Sequence, residues 1–341
     1  MKEYRTIKVA PPNGREHGRS LSDPLVSVVI PCYNAERTIT RAIRSAQKQD
    51  YHRLELIIVD DYSTDRTRDV VESIRDERLV FSSASENEGA SAARNRGVAL
   101  ASGKYVAFLD ADDEWLPSKV STQVRVMEAD INARIATCNC LFLTGRAERR
   151  GTFFERRYPA AGPDAWQTLL AYNYIQTSTV LARKEDLEDL HGFSKTLPTG
   201  EDQDLWIRLA SRGSVCVEPQ VLVHVHDEPV SLAKRYQKRE AAILLSIVRT
   251  HLGELQARLR KDQRCAIWGQ RLYDIACNMY QDMEYARSAA LFWGAARHGT
   301  RRLKSVANVF RALSLAIVRT GQLGMHDLVE GAKMAALPKE V

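Results

Sequence analysis

Leu25-Val-Ser-Val-Val-Ile-Pro-Cys-Tyr-Asn34 is the stretch that decides the fold. Its β-branched run has no polar face, as expected of a strand covered on both sides, and Pro31 is expected to stop it. Similar runs follow at Leu54-Glu-Leu-Ile-Ile-Val59 and Tyr105-Val-Ala-Phe-Leu109, with a shorter one at Leu79–Ser82. Between them lie helical patterns. Glu36–Gln49 places Ile39, Ala42, Ile43 and Ala46 on one face, Thr64–Ile74 has Ser63 or Thr64 as N-cap, and Ala90–Ala101 is rich in small residues. This alternation predicts an α/β fold, a doubly wound and mostly parallel sheet of Rossmann-like type with helices on both faces. Such sheets bind ligands at the carboxyl ends of their strands. Those ends are Pro31–Asn34, Asp60–Asp65 and Asp110–Asp113, so carboxylates from two strand ends are expected to meet on one crevice rim.

Asp110-Ala-Asp112 follows its strand directly, and two carboxylates so spaced in a turn suit one hard divalent cation and its attached phosphates. Taken alone, the tripeptide is equally a solvated turn capping the helix that begins at Pro117. Asp60 and Asp61 are adjacent acids at the crevice mouth, which repel unless a cation or a ligand donor, such as the imide N–H of a pyrimidine, satisfies one. Ser63, Thr64 and Asp65 read as the cap of the next helix. Gly200-Glu-Asp-Gln-Asp204 opens an amphipathic helix with three acids, which either complement the helix dipole or present a general base to the cleft. His224 and His226 alternate on a strand and share a face, as two half-exposed residues or with one of them at the site's edge.

Beyond Leu116 the pattern loosens. Strands are expected at Arg134–Phe142, Ser178–Arg183, Val215–Val217 and Val221–His226, and helices at Ala165–Tyr172 and Glu201–Ser211. From about Ser231 to the end only helical patterns appear. Of the 341 residues, 44% are hydrophobic and 27% charged, which excludes a disordered chain. The net charge is +6, but residues 231–341 carry 19 Lys+Arg against 9 Asp+Glu, leaving a mildly acidic front and a basic back. Lys234, Arg235, Lys238 and Arg239 form a tight cluster there, either a solvated face or an anchor to anionic lipid.

No apolar run is long enough to span a membrane, and the first 22 residues read as a loose polar tail without a signal-peptide core. Cys32, Cys138, Cys140, Cys216, Cys265 and Cys277 form no C-x-x-C pair, and a reduced, cytoplasmic protein is expected. A G-x-G-x-x-G or Walker loop is missing, which argues against a dehydrogenase or P-loop NTPase. The aromatics of the basic tail sit at helical spacing and read as core, so nucleic acid is not an expected partner.

Val26–Asn34, Leu56–Asp65, Asn87-Glu-Gly-Ala-Ser-Ala-Ala-Arg-Asn-Arg-Gly97 and Tyr105–Asp113, in this order and spacing, resemble the family 2 glycosyltransferases. These are inverting sugar transferases of the GT-A fold, common in bacterial polysaccharide and glycan biosynthesis. The resemblance is dense over residues 25–120, thinner to about 235 and absent from the tail. It implies a nucleotide-diphosphate sugar donor, most simply a UDP-sugar, and a hydroxyl acceptor on a glycan or lipid-linked glycan. Pro31, Tyr33, Asn34 and Asp61 would line the base and ribose pocket, Asp110 would face the ribose or diphosphate, and Glu201 would accompany Asp202, the catalytic base. Asp112, with His226 as its partner, would bind Mn²⁺ or Mg²⁺. Arg94 and Asn95 lie in a family motif and would touch ligand or brace the Asp110 loop. Tyr62 stands where the family usually has Gly, so a turn with positive φ would be strained there.

The expected organisation is a tail at 1–22, a GT-A domain at 23–233 with a nucleotide half to 120 and an acceptor half beyond, and a basic helical region at 234–341. The basic region is expected to hold the enzyme peripherally on the inner face of the membrane. Competing readings are a lapsed transferase acting through its helical tail and a sugar-nucleotide pyrophosphorylase, which would want a Gly-rich, basic loop where Pro31–Asn34 stands.

Overall fold

The computed structural model describes residues 5–8, 23–144, 149–227, 237–281, 283–320 and 325–336. In chain order the elements are β1 (Arg5–Lys8), β2 (Val26–Cys32), α1 (Ile39–Gln47), β3 (Leu54–Asp60), α2 (Thr67–Ser73), β4 (Leu79–Ser83), α3 (Ala90–Leu100), β5 (Tyr105–Phe108), β6 (Glu114–Trp115), α4 (Lys119–Ala129) and β7 (Ala133–Thr144). There follow β8 (Arg149–Thr152), α5 (Phe153–Arg156), α6 (Ala165–Ala171), β9 (Leu181–Arg183), α7 (Lys184–Asp189), α8 (Glu201–Ala210) and β10 (Ser214–Asp227). The helices α9 (Gln237–Glu254), α10 (Lys261–Gln281), α11 (Tyr285–Arg297), α12 (Arg302–Thr320) and α13 (Met325–Ala335) complete the chain. It divides into two compact units, 1–165 with 174–231, and 166–173 with 232–341.

The first unit is built on one sheet in the order β1-β4-β3-β2-β5-β9-β7-β10-β6, with β8 on β7. Strands β4, β3, β2 and β5 run parallel, as the continuous apolar runs predict. The sheet as a whole is mixed, because β9 lies antiparallel to both β5 and β7. Val28, Val29, Ile30, Leu56, Ile57 and Ile58 have no exposed surface, so both faces of the inner strands are covered. The strand order turns back between β2 and β5, and a doubly wound sheet opens its ligand crevice at such a switch.

Several details depart from expectation. Pro31 does not stop its strand, which continues through Cys32 in register with Asp60 of β3. The Leu109 N–H donates to the Val29 carbonyl, so Val29 and, two residues on, Pro31 turn their backbone polar groups toward β5. β5 has already ended there, and the missing proline N–H leaves no partner unsatisfied. Ser178 lies in a 3₁₀ turn, Thr177–Thr179, and the strand begins only at Leu181. The two late strands are one, β10, paired in parallel with β7 through irregular register between Glu218 and Val223. Within the expected tail, Arg5–Lys8 pairs antiparallel with β4. Helix α2 starts at Thr67 with Arg66 at the N-cap position, and Asp65, one residue earlier, accepts the Thr67 N–H on Oδ1 at 2.9 Å.

Helix α3 lies close against β2 because it is built of small residues. A Cβ on Gly97 would sit 2.2 Å from Val29 Cγ1. Gly97→Ala, which on an open helix face would add about 1 kcal/mol, is therefore expected to lower stability by about 1–3 kcal/mol. The midpoint of urea unfolding reads this directly.

In the second unit, α11 packs against α10, α12 and α13 and buries all but one stripe of its surface. Among the described residues no helix is long and apolar enough to cross a membrane. Lys234 and Arg235 of the basic cluster lie outside the described residues.

Candidate active site

The loops after β2, β3 and β5 stand side by side at the switch. After β2, Asn34 takes φ 49°, its N–H donates to Ser63 Oγ at 2.9 Å, and its side-chain oxygen accepts the Thr64 N–H at 2.8 Å. Asn34 thus joins two loops rather than standing free. Tyr62, at φ 67°, occupies the left-handed conformation that the turn demands, a cost of about 1–3 kcal/mol for a bulky residue. Tyr33 and Tyr62, from adjacent strand ends, are each about half exposed on the rim.

Asp60 and Asp61 are both buried, and each has donors of its own. Asp60 accepts from the Ser63 N–H and hydroxyl and from the Ser83 hydroxyl. Asp61 accepts the Glu88 N–H at 2.9 Å on one oxygen and the Gly89 N–H at 2.7 Å on the other. Burial raises its pKa despite these two N–H groups. The acid pair is therefore a scaffold that ties β3 to the loop preceding α3, and Asp60 faces inward rather than onto the rim.

Asp110, at the end of β5, is partly exposed and held by Arg94 of α3. Arg94 Nη2 donates to Asp110 at 2.8 Å and Nη1 to Glu201 at 3.1 Å. The guanidinium is buried, and its two carboxylates hold it firmly protonated against the cost of burial. One arginine thus links the β5 loop to the start of α8. The neighbouring Asn95 pairs with Phe193 through both backbone groups, at 2.8 Å each, and fixes the segment that leads toward α8. Gly200, at φ 75°, makes the turn into that helix. Asp202 sits in its first turn, with Oδ1 accepting the Gln203 N–H at 2.6 Å. Burial and the neighbouring Glu201 push its pKa up to about 7, with Arg94 opposing.

The third acid of the β5 loop carries no spacing signal of its own in the sequence. Asp113 is buried, accepts the Ser178 hydroxyl and accepts the His226 N–H at 3.2 Å. Ser178 Oγ in turn accepts the Asp110 N–H at 3.0 Å, so one hydroxyl spans both ends of the acidic turn. Ser178 is itself fixed from below. The carbonyls of Ser178, Thr179 and Val180 accept from Trp115 Nε1 (2.8 Å), Gln123 Nε2 (2.7 Å) and Lys119 Nζ (3.1 Å). Lys119 is wholly buried, and desolvation lowers its pKa to about 7.

Strand β6 pairs with β10, His224 opposite Glu114, which brings both histidines to the acidic turn. His224 Nδ1 lies 3.5 Å and His226 Nε2 3.7 Å from Glu114 Oε2. His226 Nε2 is buried without a hydrogen-bond partner. Burial and the nearby Arg41 lower the His226 pKa, with Glu114 opposing, which favours the neutral ring, the form that ligates metal. Arg41 also donates to the Asp112 carbonyl. Among the described residues, no three His, Cys, Asp or Glu side chains are gathered as a complete metal site. His226 stands at the acidic turn through its N–H on Asp113, with Glu114 beside its ring, and Asp112 lies on the same turn. A carboxylate and an imidazole nitrogen without a hydrogen bond nonetheless suit a divalent cation in kind.

Residues 27–185 match the model of the family described as "Glycosyl transferase family 2". The Escherichia coli protein named UDP-Glc:alpha-D-GlcNAc-diphosphoundecaprenol beta-1,3-glucosyltransferase WfaP is 32% identical over 190 residues, covering 55% of this chain and 71% of that protein. The putative teichuronic acid biosynthesis glycosyltransferase TuaG of Bacillus subtilis is 33% identical over 195 residues, 56% of this chain and 73% of its own. Among solved structures, the mannosyltransferase PcManGT from Pyrobaculum calidifontis, in complex with GDP-Man and Mn²⁺, superposes with a TM-score of 0.58 at 20% identity, covering 92% of this chain and 88% of that one. S. aureus TarS with UDP-GlcNAc gives 0.55 at 19% identity, over 87% and 92% of the two chains. These two likenesses concern the fold, which is GT-A with a helical C-terminal region.

Proposed function

The chain belongs to glycosyl transferase family 2 and is a glycosyltransferase, and from that premise we propose that it transfers a sugar from a UDP-sugar to a hydroxyl of a lipid-linked glycan in bacterial surface-polysaccharide synthesis, with inversion. The donor and acceptor classes are suggested by the relative named for UDP-Glc and a diphosphoundecaprenol acceptor. The observation that carries the mechanism is Asp202, a half-buried carboxyl poised near neutrality and joined through Glu201 and Arg94 to the β5 loop.

In this reading the half-exposed Tyr33 and Tyr62 flank the base, with Pro31 and Asn34 shaping the floor. Asp61 keeps lone pairs for a base N–H beyond the two backbone donors it already holds. Asp110, oriented by Arg94, faces the ribose or diphosphate. Asp112 and His226 would hold a divalent cation, Mn²⁺ or Mg²⁺, which when bound stabilises charge on a departing diphosphate. Asp202 takes the proton from the acceptor hydroxyl as that oxygen forms its bond to the anomeric carbon. The bond from that carbon to the diphosphate oxygen breaks on the opposite face, so the configuration inverts in one displacement. The transition state has oxocarbenium character, as in glycoside cleavage. Holding both substrates in line supplies much of the remaining acceleration.

Calorimetry with UDP, GDP and dTDP, each with and without Mn²⁺, tests the donor site. UDP is expected to bind roughly tenfold or more tightly with metal than without, and Asp112→Ala to remove that dependence. No binding of any nucleotide by the folded wild type would sink the reading.

A further inference from the structure

From Tyr285 to His326 the chain carries seven Lys and Arg and not one Asp or Glu. Arg287 is matched from outside the stretch by Asp327 at 3.0 Å, whereas Arg297, Lys304 and Arg311 are exposed. Helix α12 within this stretch is amphipathic in an inverted sense. A surface helix normally buries its large apolar residues and exposes small or polar ones. Here Ser305, Ala312 and Ala316 are buried, Val306, Val309 and Leu313 are only half buried, and Phe310 is 67% exposed. Val306, Phe310 and Leu313, at i, i+4 and i+7, form one stripe, and Lys304 and Arg311, seven apart, form another. The single exposed stripe of α11 likewise carries Trp293, 53% exposed, and Arg297.

Two demands are therefore made by the same face: an apolar phase for the stripe and anions for the cations. Nucleic acid would satisfy the cations but gives nothing to Phe310, Val306 and Leu313. A second copy of this chain would cover the stripe but bring like charges together across a two-fold axis. An anionic bilayer meets both demands, because an in-plane helix sinks its apolar side chains to the acyl boundary while Lys and Arg reach the headgroups.

We propose that α12, with the exposed stripe of α11, is an interfacial surface that docks this protein on anionic membrane, Phe310 being its apolar anchor and Lys304 and Arg311 its headgroup contacts. The proposal deepens the lipid-linked acceptor reading, since an acceptor embedded in lipid is reached from the bilayer plane.

Co-sedimentation of the full chain with vesicles of phosphatidylcholine alone, or mixed with phosphatidylglycerol, tests it. Partitioning onto the anionic vesicles is expected to be roughly tenfold or more the stronger. Phe310→Ser is expected to weaken it roughly tenfold, and Lys304→Glu with Arg311→Glu by at least as much. All three positions are exposed, so unchanged melting temperatures will show that the fold is intact. Equal binding to neutral and anionic vesicles, or binding indifferent to Phe310→Ser, overturns the proposal. So does a dimer in light scattering that Phe310→Ser dissolves, or duplex DNA binding as tight as vesicle binding. The assay contains no nucleotide sugar: vesicle binding without UDP binding would fault the proposed reaction alone, and UDP binding without vesicle binding the membrane surface alone.

Discussion

Asp202→Asn is expected to lower kcat by about 10²–10⁴-fold, the usual contribution of a positioned general base, while leaving nucleotide affinity within a few-fold of wild type. Asn preserves the shape of the side chain and its acceptance of the Gln203 N–H, but it cannot take a proton. Initial rates of sugar transfer, read beside calorimetry with UDP, separate the two effects. The wild-type pH profile follows from the same group. With its pKa pushed up to about 7, Asp202 is a competent base only when deprotonated, so kcat/KM is expected to fall with unit slope as pH drops below about 7. The stability consequence has the opposite sign. A carboxyl whose folded pKa lies above its unfolded value binds more protons in the folded state between about pH 4 and 7, so this group's contribution grows more favourable as pH falls through that window. Activity and stability thus pull against each other at Asp202, as expected of a group kept for chemistry.

Arg94→Met is expected to cost about 3–5 kcal/mol of stability, because Asp110 and Glu201 would lose the one buried cation between them. A chemical unfolding curve measures this. Arg94→Lys is not expected to restore function, since a single ammonium cannot serve as the planar fork that addresses carboxylates on two separate elements. In the lysine variant, if the Arg94 charge is displaced from Asp202, the acidic limb of the rate profile moves upward, because that charge lowers the Asp202 pKa. A lysine variant with wild-type rates and an unmoved limb would show that Arg94 acts by charge alone.

What the sequence made legible was set by the range of the interaction concerned. Val28, Val29, Ile30, Leu56, Ile57 and Ile58 could be read as inner strands because burial on both faces leaves a local mark, an unbroken apolar run. Gly200 and Asp202 were legible together because a helix start has a local grammar. Ser178, Gln123 and Lys119 were not, since their work is done between residues more than 50 positions apart and no spacing records it. Adjacent acids such as Asp60 and Asp61 signal by pattern only that a cation or a ligand donor must satisfy one of them; that Glu88, Gly89, Ser63 and Ser83 supply donors is a fact of folding. Likewise the split of β10 into two strands followed Glu218-Pro-Gln220, which interrupts the apolar pattern but only loosens the register against β7. The inverted face of α12 was hidden for a related reason: periodicity reports that a helix is amphipathic, not which face its neighbours cover.

The antiparallel strand β9 gives the molecule a timing problem while it is being made. β5 leaves the ribosome with β2 ready on one side, but the neighbour for its other edge, Leu181–Arg183, is translated more than 70 residues later. At synthesis rates of about 5–20 residues per second, the four parallel strands carry an unpaired, largely apolar edge for several seconds. Such an edge is a template for any passing strand. The first four parallel strands are thus not a self-sufficient module in the growing chain, and the segment from β6 to β9 serves, before any chemistry, as the cover that they wait for.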